Sequence, residues 1–119
     1  MTSKPLAAAA SNRKPGRYVL TNAARMHAKH PETFDAPSAD ELSSLKRGSI
    51  VKVCAEFESS EGCTGERFWV RVFSVLDDGI IIGKVNNHLV HTEQHGLKNL
   101  KSITFERRNI LAVSDGLWL

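Results

Sequence analysis

The segment from Glu66 to Val72 constrains the fold more than any other part of this chain. It reads Glu-Arg-Phe-Trp-Val-Arg-Val, contains neither Gly nor Pro, and places its arginines between aromatic and β-branched residues. Such a composition is typical of a central β-strand, in which successive side chains point to opposite faces. We therefore expect Phe68, Val70 and Val72 to face an apolar interior, and the strand to continue to Leu76.

The following and preceding segments have the features of partner strands. From Ser49 the apolar residues alternate, with Val51 and Val53 on one predicted face and Lys52 on the other. Residues 58–65 are rich in Gly and Ser and predict a loop. The Asp-Gly pair at 78–79 is typical of a tight hairpin, after which residues 80–85 return as an antiparallel strand. Residues 102–105 and 110–113 predict two more short strands, separated by a single turn.

Gly83 lies inside the predicted strand of residues 80–85. A glycine at such a position indicates either a bulge or a close approach of another backbone.

We divide the chain into a disordered basic tail, residues 1–16, and a single globular domain, residues 17–119. The domain consists of a helical lead-in (17–48), a β body (49–113) and an apolar C-terminal tip (114–119). In the lead-in, Thr21 or Asn22 can cap a helix over residues 23–29. Ser38 and Glu41 form a capping-box pattern that begins a second helix of about two turns, which Gly48 can close.

Five short strands after N-terminal helices predict a mainly β fold of the α+β class. Two architectures fit this order of elements: a small SH3-like barrel, and a strongly bent, open antiparallel sheet. Strand spacing alone does not establish whether a sheet closes, so both stay open at this point.

The basic residues are concentrated in one part of the chain. Residues 1–30 carry six basic and no acidic side chains, whereas residues 31–119 have a net charge of −3. Such a segment can bind a phosphate backbone, with an affinity that falls as salt rises. The nucleic-acid alternative therefore uses Lys4, Arg13, Lys14, Arg17, Arg25 and Lys29.

The chain shows no export signal and no membrane span. Its longest apolar runs are too short for either, and Cys54 and Cys63 are then expected to be reduced, structural thiols. We therefore expect a cytoplasmic protein with no membrane partner.

Several short motifs between about residue 30 and residue 113 are specific when taken together. They are Leu45…Gly48…Val51-Lys52-Val53, Glu66-Arg67-Phe68-Trp69-Val70, Gly83-Lys84-Val85-Asn86-Asn87, His95-Gly96-Leu97 and Ile103-Thr104-Phe105…Ile110. On these residues the chain resembles an uncharacterised bacterial family, the YegJ-like domain of unknown function. The resemblance implies a small bacterial domain, sometimes carried by mobile elements, and brings no catalytic residue with it.

Three histidines lie in the polar segment 86–101, which we expect to be a surface loop. His88, His91 and His95 form an H-x2-H-x3-H pattern, and imidazole together with a thiolate from Cys54 or Cys63 can bind zinc. The set lacks a second closely spaced ligand pair, so solvated loop histidines are the simpler interpretation. A zinc- or thiol-dependent hydrolase remains as an alternative.

A surface for a macromolecular partner is the function that the sequence favours. Arg67, Trp69 and Arg71 are expected to share one face of the central strand, where arginine beside an aromatic ring can bind protein or nucleic acid. The same residues could instead cover the rim of a barrel. We expect a non-enzymatic module without a cofactor or metal that binds another protein. The candidate binding residues are Arg67, Trp69, Arg71, Asn86, Asn87, His88, His91 and His95.

Overall fold

The computed structural model describes residues 17–59 and 62–117, with side chains to residue 114. In chain order the elements are β1 (Val19–Leu20), α1 (Ala23–Lys29), α2 (Ala39–Ser43), β2 (Ser49–Ser59), β3 (Gly62–Val75), β4 (Ile81–Val85), α3 (Thr92–His95), β5 (Ser102–Phe105), a 3₁₀ turn (Arg107–Asn109) and β6 (Ala112–Leu117). The predicted mainly β fold with short N-terminal helices is confirmed. The predicted tail, residues 1–16, and the end of the apolar tip, residues 118–119, lie outside the described residues.

The described strands form one antiparallel sheet that curls into a half-barrel. Their order is β1-β2-β3-β4-β5, and β6 pairs with β2 on the edge that β1 also uses. Within the described residues β5 pairs only with β4, so the sheet does not close on itself. The strongly bent, open sheet is therefore the architecture that this chain adopts.

The β2–β3 hairpin is the longest pairing in the sheet. Its register runs from Ile50 opposite Arg71 to Ser59 opposite Gly62. The expectation of a loop over residues 58–65 is wrong, because both strands continue through most of it. Cooperative pairing along the hairpin offsets the weak strand preference of its glycines and serines, since β-propensity depends strongly on tertiary context.

The core lies on the inner, concave face of the sheet. Phe68, Val70 and Val72 are buried there, as the alternation of β3 predicts. They pack with the following buried residues from the other elements: Val51, Val53, Ala55, Ile81, Val85, Leu97, Ile103, Phe105 and Ile110. Burial of these side chains is the main favourable contribution to folding, at about 1.5–3 kcal/mol for each large one.

The predicted N-terminal caps of both helices in the lead-in are present. The Asn22 side chain accepts a hydrogen bond from the Arg25 N–H at 3.0 Å and caps α1. The capping box of α2 is complete, with Ser38 and Glu41 each accepting from the backbone N–H of the other. Both helix starts are therefore fixed locally, as side-chain caps satisfy otherwise free N–H groups.

α2 ends earlier than predicted, and Gly48 does not close it. The hydroxyls of Ser43 and Ser44 donate to the Asp40 carbonyl at 3.0 and 2.9 Å, and Ser44 is the C-terminal cap. Such side-chain bonds compete with the continuation of a helix. Gly48 instead uses its φ of 96° in the turn that leads into β2.

The predicted turn between β3 and β4 is confirmed. Leu76 donates from its N–H to the Ile80 carbonyl at 2.9 Å, and Gly79 has a φ of 92°. The last strand begins at Ala112 rather than at Ile110, because Ile110 and Leu111 are buried in the body after the 3₁₀ turn. Across the residues that the structure describes, no helix has the length and apolar character to cross a bilayer.

Candidate functional site

The outer face of β3 carries the row of residues that the sequence singled out. Arg67 is exposed, Trp69 and Arg71 are half-buried, and Phe73 continues the row with 46% of its surface exposed. The neighbours Phe68, Val70 and Val72 are buried on the opposite face. The structure therefore brings Arg67, Trp69 and Arg71 together on one face of the sheet, as expected.

Register between strands adds further cations to this row. Lys52 of β2 lies opposite Trp69, and Lys84 of β4 lies directly opposite Arg71. We define the outer basic face as Arg47, Lys52, Arg67, Arg71 and Lys84. In the described part of the chain Glu106 forms an ion pair with Arg108 and Glu66 contacts His95, so none of these five cations has an ion-pair partner there.

The aromatic rings of this region are covered by cations. The Lys52 Nζ atom lies 4.8 Å from the centre of the Trp69 ring, and the Arg47 guanidinium lies 4.2 Å from that of Phe73. A cation over a ring is attracted by the negative face of the π system. The rings thus hold the cations in place and are themselves less available for stacking.

The loop of residues 86–101 is fastened to β3 along one edge. The Trp69 N–H donates to Asn87 Oδ1 at 2.7 Å, and the Asn86 N–H donates to the Trp69 carbonyl at 2.8 Å. The Asn87 side chain also donates to the His88 carbonyl. Asn87 therefore has a structural role, whereas Asn86 and His88 are exposed.

Glu66 holds the next part of the loop. Its carboxylate accepts hydrogen bonds from the backbone N–H groups of Val90 at 2.6 Å and His91 at 2.9 Å, and its Oε1 lies 2.9 Å from Nε2 of His95. His95 Nδ1 accepts from the Leu97 N–H at 3.0 Å, so the hydrogen on Nε2 is the one donated to Glu66.

His95 is not a solvated loop histidine, contrary to the expectation from the sequence. Its side chain is 0% exposed and packs edge-on against the ring of Phe57, with 5.1 Å between ring centres. His91 also contacts the Phe57 ring. The physical reason is that Glu66 and Phe57 lie on the inner face of the sheet, where His95 of α3 packs against the Phe57 ring and its buried imidazole needs a polar partner.

The surroundings of Glu66 lower the pKa of its carboxyl group. Burial raises the pKa of this carboxyl, but the hydrogen bonds from Val90, His95 and His91 favour the ionised form and together outweigh burial, so the net pKa is lowered. Glu66 is therefore a carboxylate at neutral pH and binds the loop by charge-assisted hydrogen bonds.

The predicted metal ligands are not brought together. Both ring nitrogens of His95 are engaged, and no group of three or more His, Cys, Asp or Glu among the described residues could hold a metal ion. Cys54 and Cys63 are free thiols on the outer face, whereas the histidines that contact Phe57 lie on the inner side. The sheet thus separates the thiols from these imidazoles.

The two cysteines are also distant from each other. Cys54 pairs with Arg67 and Cys63 with Glu58, which places them four residues apart along the hairpin, or about 13 Å. A disulfide requires Cα atoms within about 7 Å. Burial raises the pKa of the Cys54 thiol, and the nearby Glu56 charge adds to this, while Thr21 and Arg67 act in the opposite direction.

The basic residues of the nucleic-acid alternative are only partly visible. Lys4, Arg13 and Lys14 lie outside the described residues. Arg17, Arg25 and Lys29 are exposed on the lead-in.

Three cations of the outer basic face, Arg47, Lys52 and Lys84, were missed as binding residues from the sequence. Arg47 precedes β2 and belongs to this face through its contact with the Phe73 ring. Lys84 alternates with the inward Gly83 and Val85, and the hairpin turn at Gly79 sets its register against β3. Lys52 was placed on the outer face but was not connected with Trp69, since their pairing depends on a hairpin register that the predicted loop obscured.

Comparison of the chain with protein-family models, curated proteins and solved structures finds no match in any of the three. The resemblance of residues 30–113 to the YegJ-like family therefore stays a prediction.

Proposed function

We propose that this chain is a non-enzymatic binding module that captures an acidic segment of a partner protein on its outer basic face. The observation that carries the proposal is the direct opposition of Arg71 and Lys84 across β3 and β4, without an ion-pair partner among the described residues. Like charges at opposed positions destabilise a sheet. A carboxylate from a partner would relieve this repulsion.

The arrangement of the cations favours carboxylate recognition over base stacking. Lys52 and Arg47 cover the rings of Trp69 and Phe73, so these rings are poorly placed to stack with bases. The N–H groups of cations held in this way stay available to oxygen acceptors, and arginine can pair with a carboxylate through two parallel hydrogen bonds. This supports a short acidic protein segment as the partner.

The net charge of residues 31–119 supports the same choice. Residues 31–119 have a net charge of −3, although the outer basic face lies within them. A long polyanion would meet repulsion outside this face, whereas a short acidic segment needs only the face itself.

The test is binding of a fluorescent Glu-rich peptide, measured by anisotropy at low and physiological salt. We expect Arg71→Glu to weaken binding by about tenfold or more, because it removes one cation and adds a repelling charge. The matched control is Lys98→Glu, an equal charge change at an exposed position outside the outer basic face. Equal losses in the two variants would contradict the proposal. If only Arg71→Glu weakens binding, capture from a lysate of the native host is the next step and identifies the partner.

A second candidate is nucleic-acid binding through the N-terminal segment. It rests on the six basic and no acidic residues of positions 1–30, of which Arg17, Arg25 and Lys29 are exposed. Replacement of Lys4, Arg13 and Lys14 by Gln in the full chain should lower the affinity for an oligonucleotide and the slope of that affinity against salt. No mobility shift of the unaltered protein at low salt would exclude this candidate.

A further inference from the structure

A cleft opens on the outer face of the β2–β3 hairpin, beneath α1 and the segment that follows it. It has a volume of about 280 Å³, and its lining includes Met26, Phe34, Cys54, Arg67 and Leu111. A second cavity of about 220 Å³ adjoins it and shares Phe34, Arg67 and Leu111. The two chambers meet at these shared residues.

The walls of the cleft are tied to its floor by backbone hydrogen bonds. The Leu111 N–H donates to the Lys52 carbonyl at 2.8 Å, and the Thr21 N–H donates to the Cys54 carbonyl at 2.9 Å. Nδ1 of His27 lies 2.6 Å from the Phe34 carbonyl and fixes the loop that carries this ring. A cleft held in this way needs little rearrangement to bind a ligand.

The two chambers differ in chemistry. The larger one presents the thioether of Met26, the Cys54 thiol and the apolar side chains of Phe34 and Leu111. Its one carboxylate, Glu56, accepts a hydrogen bond from the Thr21 hydroxyl. The larger chamber is therefore suited to an apolar group.

The smaller chamber has an excess of positive charge. Lys52 and Arg67 line it together with one acidic residue, Asp35. Lys52 and Arg67 are diagonal neighbours across β2 and β3, so their charged ends can reach one anion. Arg67 also lies over the Phe34 ring, with its Cζ 5.9 Å from the ring centre, at the junction of the chambers.

We propose that this cleft binds a small organic acid with an apolar body. The carboxylate pairs with Arg67 and Lys52 in the smaller chamber, and the body lies between Phe34 and Leu111 and extends toward Met26. The proposal goes beyond capture of an acidic protein segment. The cleft shares Lys52 and Arg67 with the outer basic face, but Arg71 and Lys84, whose opposition carries the proposed capture, line neither chamber.

The test uses full-length ¹⁵N-labelled protein titrated with hydrocinnamate, its uncharged amide, and acetate. We expect hydrocinnamate to shift the amide signals of Phe34, Cys54 and Leu111 with a Kd of about 1 mM or tighter. The uncharged amide of hydrocinnamate lacks the negative charge, and acetate lacks the apolar body. Each should therefore bind about tenfold more weakly than hydrocinnamate.

The variants Arg67→Gln and Arg71→Gln separate this site from a general charge effect. Both arginines lie on the outer face of β3, but only Arg67 lines the cleft. Arg67→Gln should weaken hydrocinnamate binding by about tenfold, and Arg71→Gln should leave it within about twofold. The proposal is overturned by equal effects of the two variants, by equal binding of the acid and the amide, or by no shift at about 20 mM acid.

Discussion

Oε1 of Glu66 and Nε2 of His95 lie 2.9 Å apart on the inner side of the sheet, and this pair joins the loop of residues 86–101 to β3. The His95 side chain is fully buried, and that of Glu66 is 11% exposed. Glu66 also accepts from the backbone of Val90 and His91, so a single side chain satisfies three donors. Through these bonds Glu66 fastens the loop to β3.

We predict that Glu66→Gln destabilises the protein by about 1–3 kcal/mol at pH 7. The amide group keeps one acceptor oxygen but turns an NH₂ group toward donors that the carboxylate satisfied. Urea denaturation measures the change. Glu93→Gln, at an exposed position of α3, is the control and should change stability by less than about 0.5 kcal/mol.

The Glu66 contribution should depend on pH with a defined sign. Because the folded-state pKa is lowered from the ordinary value of 4.5, the stabilisation is fully present above that value and is lost as pH falls through the folded-state value. The difference in unfolding free energy between the wild type and Glu66→Gln should therefore be constant from pH 7 to about pH 5.5 and shrink at more acidic pH. A difference that grows on acidification would contradict the lowered pKa.

His95 and His88 should respond very differently to replacement by alanine. His95→Ala removes a buried ring and leaves the Leu97 N–H without its acceptor, so we expect a loss of about 2–4 kcal/mol. His88→Ala changes an exposed side chain and should stay within about 0.5 kcal/mol. Thermal or urea unfolding compares the two, and equal losses would show that the loop is not fastened through His95.

Lys84→Glu should stabilise the fold while weakening capture of an acidic partner. The change places a carboxylate directly opposite Arg71 and replaces a repulsion by an attraction, worth about 0.2–1 kcal/mol. Unfolding in urea at low salt measures the gain, which should shrink at high salt because exposed charges are screened. A variant that is less stable and binds the acidic peptide normally would contradict the role given to this pair.

Gly83→Ala should destabilise the protein more than Gly65→Ala. A Cβ atom at Gly83 would lie 2.5 Å from a Val70 methyl and 2.8 Å from the Arg71 carbonyl oxygen, so backbone has to move. At Gly65 the nearest atom is the Cys54 sulfur at 2.9 Å, which belongs to a side chain that can rotate. We expect about 1–3 kcal/mol for Gly83→Ala and a smaller loss for Gly65→Ala, measured by urea unfolding.

The sequence predicted the features that depend on near neighbours in the chain. Alternation in β3 assigned Phe68, Val70 and Val72 to the core, and the Asp-Gly pair located the β3–β4 turn. Asn22, one of the two candidate caps, does cap α1. At Gly83 the sequence left a bulge and a close backbone approach as alternatives. The Arg71 carbonyl does approach this position closely, and the register shift lies opposite it in β3, between Val72 and Ser74.

The sequence by itself located the central strands and the residues of β3 that face the interior, because propensity and side-chain alternation are local properties. It did not show that β2 and β3 continue through most of residues 58–65, because that extension depends on the pairing of the two strands. Only the tertiary structure decided that Arg71 faces Lys84, that His95 is buried against Glu66 and Phe57, and that the sheet stays a half-barrel. These relationships join residues that are distant in the chain. Their geometry follows from strand register and sheet curvature, which are set by the packing of the whole core rather than by any one segment.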